Sequence, residues 1–394
     1  MSYWYRTALH FTVLPSFENW KAFVEKRPTE YAYEIPLYSD ATLGFFDGLS
    51  VGPYRFLRSS PSNTCEEPFH TVIVMRVDVH IRQEGYESLA DMEKTDDSAY
   101  HGGNLDDEIA ALLSLLLGIR LMKGSVTREF GSRIDPRGIP VESGAIPALV
   151  INSWQTLIPC LQRAEDLRKL PDLFGTYPGL EKADAMVLIK AARLYQQAIW
   201  YADTDPNQAW LMLVSAIETA ADHWWKKDST PVQILEDSNK NLYDLLIQEG
   251  GLSLTEKVAK HVASVLGASK KFREFVLHFL PGPPEKRPSE TGQFPFGDKT
   301  RLEAAMKKIY DYRSKALHGG KQFLALMCTP PGWYGGDDAM SEVPTGQASG
   351  TLGATWLHED TPMMLHTFEH IVRGSLLAWW RSMARPRTSV EHVR

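Results

Sequence analysis

The sequence predicts an α+β N-terminal domain rich in β-strands, followed by an all-α helical bundle. Three observations predict it. β-Branched and aromatic residues dominate the first hundred positions, strand patterns stop after about residue 180, and apolar residues recur at helical spacing from there on. We place the α+β domain at 1–150, a connecting segment at 151–180 and the helical domain at 181–394. Long loops rich in glycine and proline are predicted at 281–297 and 328–354.

The N-terminal domain is expected to begin with strands, which are predicted at Thr7–Leu14, Tyr31–Tyr38 and His70–Ile81. Side chains of the third segment alternate between two sets, as is typical of a strand with one buried face. Asn104 then predicts a helix start, because its side chain can cap the helix. Carboxylates at 106–108 would complement the helix dipole.

The C-terminal part predicts helices at Lys182–Tyr201, Pro206 to about Trp225, Val232–Gln248, Leu254–Leu280, Lys299 to about Leu317 and Pro362–Met383. The second has a strong start signal, since Asp205 can cap it and Pro206 suits its first turn. The fifth carries an apolar stripe and is followed by Gly319 and Gly320, which predict its end.

Composition and charge limit the classes of function. The formal net charge of -7 argues against a surface coated with basic residues, but it leaves room for one local basic cleft. The three cysteines form no CxxC pair, so neither a disulfide framework nor a cysteine zinc site is expected. The longest apolar run lies between Glu108 and Arg120 and is shorter than the ~20 residues that span a bilayer. We expect a cytoplasmic protein with no cofactor, no metal and no membrane contact.

One candidate catalytic pair is Arg313 and His318, at the end of the helix that begins at Lys299. Five steps along an ideal helix place the two side chains about 140° apart. The two side chains can share one face only if the helix ends between them. Gly319 and Gly320, which directly follow His318, could allow the helix to end there. The same Arg-x4-His spacing also occurs at Arg273 and at Arg387.

Context separates the three copies of this spacing. Arg387 follows a proline in a polar tail that is expected to fray. Arg273 lies among apolar residues and is expected to extend its charge outward from a packed helix. Only Arg313 combines a helical approach, a polar neighbour in Ser314 and an immediate glycine stop.

The segment 309–321 (IYDYRSKALHGGK) resembles the signature of the HEPN superfamily, particularly its Apea-like branch. The segment 209–219 (AWLMLVSAIET) is similar to an earlier helix of that branch and carries an acidic residue at Glu218. The resemblance covers about residues 180–385 and is carried mainly by Arg313–Gly320. Two positions depart from the family: Asp222 stands where some members have a basic residue, and Gly320 where adenylylated toxins have tyrosine.

The resemblance implies a helical bundle that forms a homodimer, or a higher oligomer, and brings two Arg–His pairs into one cleft. It implies a metal-independent endoribonuclease that acts as a toxin or an anti-phage effector, with a phage-derived trigger or an antitoxin as possible partner. By the same analogy, the N-terminal domain would sense the trigger or restrain the nuclease.

The residue chemistry agrees with RNA cleavage. Histidine can take or give a proton near neutral pH, and arginine presents a planar fork to phosphate oxygens. Glu218 is a candidate to hold Arg313, and Ser314 and Tyr310 are candidates to support the pair. Local positive charge for RNA is expected from Lys307, Lys308, Lys315 and Lys321.

Other interpretations stay open at this point. Arg313 and His318 could be a surface arginine and a helix-capping histidine, and Glu218 an ordinary helix carboxylate. The helical domain could bind RNA or a nucleotide without cutting it, or serve only as a dimerisation scaffold. A metal-dependent hydrolase could use His366 and His370, whose spacing can hold a metal but which lack the adjacent glutamate of a zinc protease.

Overall fold

A computed structural model describes the chain at 14–44, 48–58, 70–81, 100–131, 136–142, 146–149, 156–162, 164–225, 230–332, 339–344, 348–351 and 353–384. It divides into two compact units, Met1–Thr204 with Trp380–Arg394, and Asp205–Trp379. Of the strand predicted at Thr7–Leu14, all but Leu14 lies outside the described residues. So do Arg387 and His392 of the third Arg-x4-His copy.

The chain contains both helices and short strands. The helices are α1 (Pro15–Val24), α2 (Leu105–Leu117), α3 (Leu170–Phe174), α4 (Lys182–Tyr201), α5 (Pro206–Trp224), α6 (Pro231–Ser238), α7 (Lys240–His278), α8 (Lys299–Gly319) and α9 (Leu365–Met383). The strands are β1 (Tyr31–Ser39), β2 (Thr42–Leu43), β3 (Leu49–Val51), β4 (Tyr54–Arg58), β5 (His70–Val79), β6 (Met122–Lys123), β7 (Arg128–Gly131), β8 (Ile139–Pro140), β9 (Ala164–Glu165), β10 (Ala348–Thr351) and β11 (Ala354–Leu357).

An antiparallel sheet forms the centre of the first unit. Its strand order is β3-β4-β5-β1-β7-β8, and β6 also pairs with β1. The strands predicted at Tyr31–Tyr38 and His70–Ile81 are confirmed as β1 and β5. In β5 the side chains of Ile73, Met75 and Val77 are fully buried, as the alternation predicts.

The helices α1 and α2 belong to the same unit. α1 was not predicted, although Pro15 at its first position is a helix-start signal. Its Trp20 makes an edge contact with Tyr54 of β4. A Cβ at Gly52 would come within 2.3 Å of the Trp20 ring, and Gly52 has a φ of +59°, so this turn requires glycine. α2 begins after Asn104, as predicted, and the structure adds that Asn104 and Asp107 form a capping box.

A buried charge cluster joins three segments of the first unit. Arg120, which is fully buried, bonds Asp40 at 2.5 Å and Asp203 at 2.7 Å. Its Nε donates to the carbonyl of Ile199 at 2.7 Å. The cluster therefore ties the residues that follow β1, α2 and α4 to one guanidinium.

The second unit is largely helical. α5 begins at Pro206 and has its apolar face buried, as predicted. The first of the two helices predicted at 232–248 and 254–280 is interrupted at Asn239, where α6 ends and α7 begins, whereas the predicted gap between the two coincides with a bend inside α7. Within α7 the chain bends at Gly251, whose φ is +66°. The last helix starts at Leu365, three residues later than predicted.

The layout of an N-terminal sheet region and a largely helical C-terminal part is thus present. One helix is grouped differently from the predicted domains: α4, placed by sequence in the helical domain, belongs to the first unit and packs on α2. Among the helices of the described residues, none is both long and apolar enough to cross a membrane.

Candidate functional site

The candidate site lies where α5, α7 and α8 meet in the second unit. α5 is fixed by Trp210, which is fully buried and stacks between Phe323 at 5.2 Å and Phe368 at 4.7 Å. Its indole nitrogen also donates to the carbonyl of Met327 at 3.2 Å. This anchor sets α5 in place two turns before Glu218.

α8 is positioned by its cap and its apolar stripe. The Asp298 side chain accepts from the backbone N–H of Arg301 at the start of the helix. The buried stripe consists of Leu302, Ala305, Met306 and Ile309. Arg313 follows one turn after Ile309 and so continues this stripe, at the end that faces α5.

Three side chains form what we call the arginine clamp: Glu218, Tyr310 and Arg313. Nη2 of Arg313 donates to one Glu218 oxygen at 2.7 Å, and the Tyr310 hydroxyl donates to the other at 2.8 Å. The guanidinium carbon lies 5.7 Å from the centre of the Tyr310 ring. Phe272 of α7 supports that ring from 5.5 Å. Glu218 is thus bonded at both oxygens.

The clamp leaves part of the guanidinium unused. Among the described residues, Nη2 makes the only hydrogen bond of the Arg313 side chain, and the buried Nε has no partner. The side chain keeps 21% of its surface exposed. A guanidinium held at one nitrogen, with others unpaired, can bond an oxyanion without releasing its anchor.

Burial shapes the acid–base properties of the clamp. It is the main cause of a raised pKa for the Glu218 carboxyl; the hydrogen bond from Tyr310 and the charge of Arg313 oppose the rise, and Asp222 adds to it. Burial and the Glu218 charge together raise the pKa of the Tyr310 hydroxyl well above its usual value. Tyr310 therefore serves as a hydrogen-bond donor at neutral pH.

His318 is not part of the clamp. α8 continues through His318 to Gly319, so the expected helix end between Arg313 and His318 is wrong. The reason is that the left-handed residue is Gly320, with a φ of +61°, one position beyond the last helical residue. On the unbroken helix the two side chains point about 140° apart. The structure therefore brings Glu218, Tyr310 and Arg313 together and leaves His318 separate.

The His318 side of α8 faces solvent. His318 is exposed and makes no hydrogen bond or ion pair with any described residue. Lys307, eleven positions earlier, falls within about 20° of it around the helix, and Ser314 within about 40°. Lys307 is exposed and Ser314 is half-buried without a hydrogen bond in the described part of the chain.

The remaining predicted RNA-binding lysines have different surroundings. Lys308 is engaged in an ion pair with Asp360 at 2.8 Å. Lys315 lies over the ring of Tyr312 at 5.6 Å and is exposed, as is Lys321. Of the four, Lys308 is the one whose charge is already paired inside the unit.

The other candidates are accounted for by ordinary contacts. Nε2 of His366 donates to the carbonyl of Ser341 at 2.8 Å, and Nε2 of His370 donates to that of Gly282 at 2.8 Å. Burial lowers the pKa of His366. The described residues contain no group of three or more His, Cys, Asp or Glu side chains that could hold a metal ion. The ring of His278, in the second Arg-x4-His copy, packs against Trp224.

Sequence reasoning missed a second ion pair beside the clamp. Asp222, one turn after Glu218 on α5, bonds Lys271 of α7 at 2.8 Å. The i,i+4 spacing of Glu218 and Asp222 is a signal that two carboxylates share one face of a helix. The sequence holds no comparable signal for Lys271, which is 49 positions away.

Comparison with known proteins adds no further assignment. No protein-family model, no curated protein and no solved structure matches the chain. The functional interpretation therefore depends on the clamp, on His318 and on the resemblance carried by Arg313–Gly320.

Proposed function

We propose that the chain is a metal-independent endoribonuclease with a HEPN-like helical domain, in which Arg313 and His318 are the catalytic residues. The observation that carries the proposal is the arginine clamp: Glu218, itself bonded by Tyr310, holds Arg313 at Nη2, and the other guanidinium nitrogens have no partner among the described residues. An anchored guanidinium is suited to stabilise the negative charge that develops on a phosphate, since it need not reorganise during the reaction.

The chemistry uses the nucleophile that RNA carries. The ribose 2′-hydroxyl loses its proton to a base and attacks the adjacent phosphorus, and the 5′-oxygen leaves with a proton from an acid. The products are a 2′,3′-cyclic phosphate and a 5′-hydroxyl. His318 supplies the proton-transfer group and Arg313 binds the phosphate oxygens. DNA has no 2′-hydroxyl and is not cut.

The proposed site takes two copies of the chain. Within one copy, Arg313 and His318 point about 140° apart on α8, so they do not reach one phosphate from the same face. A homodimer that pairs the exposed C-terminal ends of two α8 helices would supply two histidines, one as base and one as acid. We therefore expect activity to rise more than linearly with protein concentration where the dimer dissociates.

The experiment that tests the proposal is incubation of the purified protein with mixed RNA in EDTA. We expect cutting that persists in EDTA, yields cyclic phosphate ends and disappears in Arg313→Ala and in His318→Ala. Arg301→Ala on α8 and His261→Ala on α7 are the matched controls, because both residues are exposed and lie outside the clamp. They should cut like the wild type.

Other outcomes would contradict the proposal in distinct ways. Cutting that Arg313→Ala leaves intact would remove Arg313 from the reaction. Cutting that EDTA abolishes would point to a metal-dependent enzyme. In cells, toxicity of the wild-type chain that neither substitution relieves would count against a role as a toxin.

A non-catalytic RNA- or nucleotide-binding module is the second candidate. The separation of His318 from Arg313 on one continuous helix favours it, because the clamp alone can bind a phosphate without a proton-transfer group. This module would bind RNA through Arg313 and leave it intact. Binding that is lost in Arg313→Ala, unchanged in His318→Ala and never followed by cutting would support it over the nuclease.

The biological role follows from the resemblance alone. It suggests a toxin or anti-phage effector whose N-terminal sheet region responds to a trigger, with a phage component or an antitoxin as partner. Expression with and without phage challenge, in wild-type and His318→Ala forms, measures whether the chain protects cells. Equal protection by both forms would rule out RNA cleavage as its basis.

The raised pKa of Glu218 predicts an acid limit to RNA cleavage. Protonation removes the charge that holds Arg313, so activity should fall on acidification at a pH above the usual carboxyl value of 4.5. Because a raised pKa favours the protonated carboxyl in the folded state, this group stabilises the fold most at low pH and less as pH rises through its pKa. Activity should thus fall before stability does.

Glu218→Gln tests this pH dependence. We expect roughly tenfold lower activity from the weakened bond to Arg313 and an acid limb that is flatter than in the wild type. Glu256→Gln, at an exposed carboxylate on α7, is the control and should keep the wild-type profile. The measurements are the pH profiles of RNA cleavage and of the thermal midpoint. If the cleavage profiles of Glu218→Gln and the wild type superimpose, Glu218 does not set the pH dependence.

A further inference from the structure

Two carboxylates on α5 each hold one cation from a different helix. Glu218 bonds Arg313 of α8 at 2.7 Å, and Asp222 bonds Lys271 of α7 at 2.8 Å. Residues four apart on a helix have Cβ atoms about 5–6 Å apart on one face. The two cations are therefore anchored side by side, one helical turn apart.

Packing fixes the backbone that presents Lys271. The next residue, Phe272, is fully buried and its ring lies 5.5 Å from Tyr310 of the clamp. The negative charge of Asp222 acts on the clamp as well, since it contributes to the raised pKa values of Glu218 and Tyr310. Lys271 and Asp222 thus belong to the same electrostatic neighbourhood as Arg313.

The Lys271 pair is more open to solvent than the Arg313 pair. Its side chains are 26% and 65% exposed, against 21% and 17% for Arg313 and Glu218. A solvent-exposed ion pair contributes little to stability, so a phosphate can replace the carboxylate as partner of the lysine at little cost. Lysine is also a flexible point charge, whereas the arginine fork is directional.

We propose that Lys271 is a second phosphate-binding residue of the ribonuclease site, which contacts a phosphate beside the one held by Arg313. Asp222 keeps its ammonium near the clamp until RNA arrives. The inference depends on the proposed function for the identity of the ligand. The site would then take a single RNA strand at two neighbouring phosphates, with the reacting phosphate at Arg313.

Binding of a 2′-O-methyl RNA oligonucleotide, which lacks the attacking hydroxyl, tests the inference without cleavage. Each phosphate contact of a single strand contributes about 0.7 to the slope of log K against log salt. We expect Lys271→Ala to reduce that slope by about 0.7 and to weaken binding several-fold. Lys271→Arg should restore both. Lys240→Ala, at an exposed lysine far along α7, should match the wild type.

Cleavage kinetics give a second readout. Lys271→Ala should raise KM several-fold and leave kcat within about twofold, because the residue binds a phosphate other than the reacting one. A slope and KM equal to those of Lys240→Ala would overturn the inference while leaving the nuclease intact, and so would a loss confined to kcat. If the wild type cuts no RNA yet Lys271→Ala lowers the salt slope, the nuclease proposal fails and the phosphate contact stands.

Discussion

Arg313→Lys should leave the chain folded and reduce kcat for RNA cleavage by about a hundredfold to a thousandfold, the usual cost of losing one oxyanion-stabilising group. Lysine keeps the positive charge and can still pair with Glu218. It cannot bond that carboxylate and a phosphate through one rigid planar group, as the clamped guanidinium can. The measurement is single-turnover cleavage in EDTA together with the thermal midpoint.

Arg301→Lys on the same helix is the control, since Arg301 is exposed and its one ion pair with a described residue is to the helix cap Asp298. Its kinetics should match the wild type. Near-normal activity of Arg313→Lys would mean that position 313 contributes charge alone, and the clamp would then lose its proposed catalytic purpose. A large fall in thermal midpoint would instead assign the arginine to stability.

The structure bears out those sequence signals that act over a few residues. The start of α5 follows from Asp205 and Pro206, whose cap and fixed backbone angle need no tertiary partner. The cap at Asn104 predicts the start of α2 for the same reason. The bend at Gly251 lies in the gap predicted between the helices at 232–248 and 254–280. The break at Asn239 was not predicted, because asparagine can lie inside a helix as well as cap a new one.

The candidate site also has one part that the sequence predicts and another part that it does not. The pairing of Glu218 with Arg313 could be proposed because the family resemblance of 209–219 singles out Glu218 and the two charges are opposite, and the structure contains it. The position of His318 could not be predicted, because it depends on where α8 ends. Either of the two adjacent glycines can adopt the left-handed conformation that ends a helix. Lys271 was missed because its partner Asp222 lies on another helix.

The same limit applies to the buried charge cluster of the first unit. Arg120 is 80 positions from Asp40 and 83 from Asp203, so no local pattern connects them. In the sequence, Arg120 is simply the charged residue that follows an apolar run. Its burial follows from tertiary packing, which surrounds the guanidinium with two carboxylates and a carbonyl. Removing the guanidinium from this cluster is therefore expected to lower the stability of the protein strongly.

Arg120→Met should destabilise the protein by about 3–5 kcal/mol, because two buried carboxylates lose the charge that compensates them. Gln162 also donates to Asp40 and the Leu157 backbone N–H to Asp203, but both donors are neutral and cannot replace the charge of the guanidinium. At about 2–4 °C per kcal/mol for a unit of this size, the thermal midpoint should fall by roughly 6–20 °C. Differential scanning calorimetry measures it.

Two further variants separate burial from the mere removal of an arginine. Arg168→Met removes an exposed arginine that pairs with Asp166, and its midpoint should stay at the wild-type value. Combining Arg120→Met with Asp40→Asn and Asp203→Asn removes all three charges and should recover much of the loss, since replacing a whole buried ion cluster costs far less than breaking it. If Arg120→Met alone unfolds like Arg168→Met, water reaches these carboxylates and the cluster is not the buried junction of β1, α2 and α4.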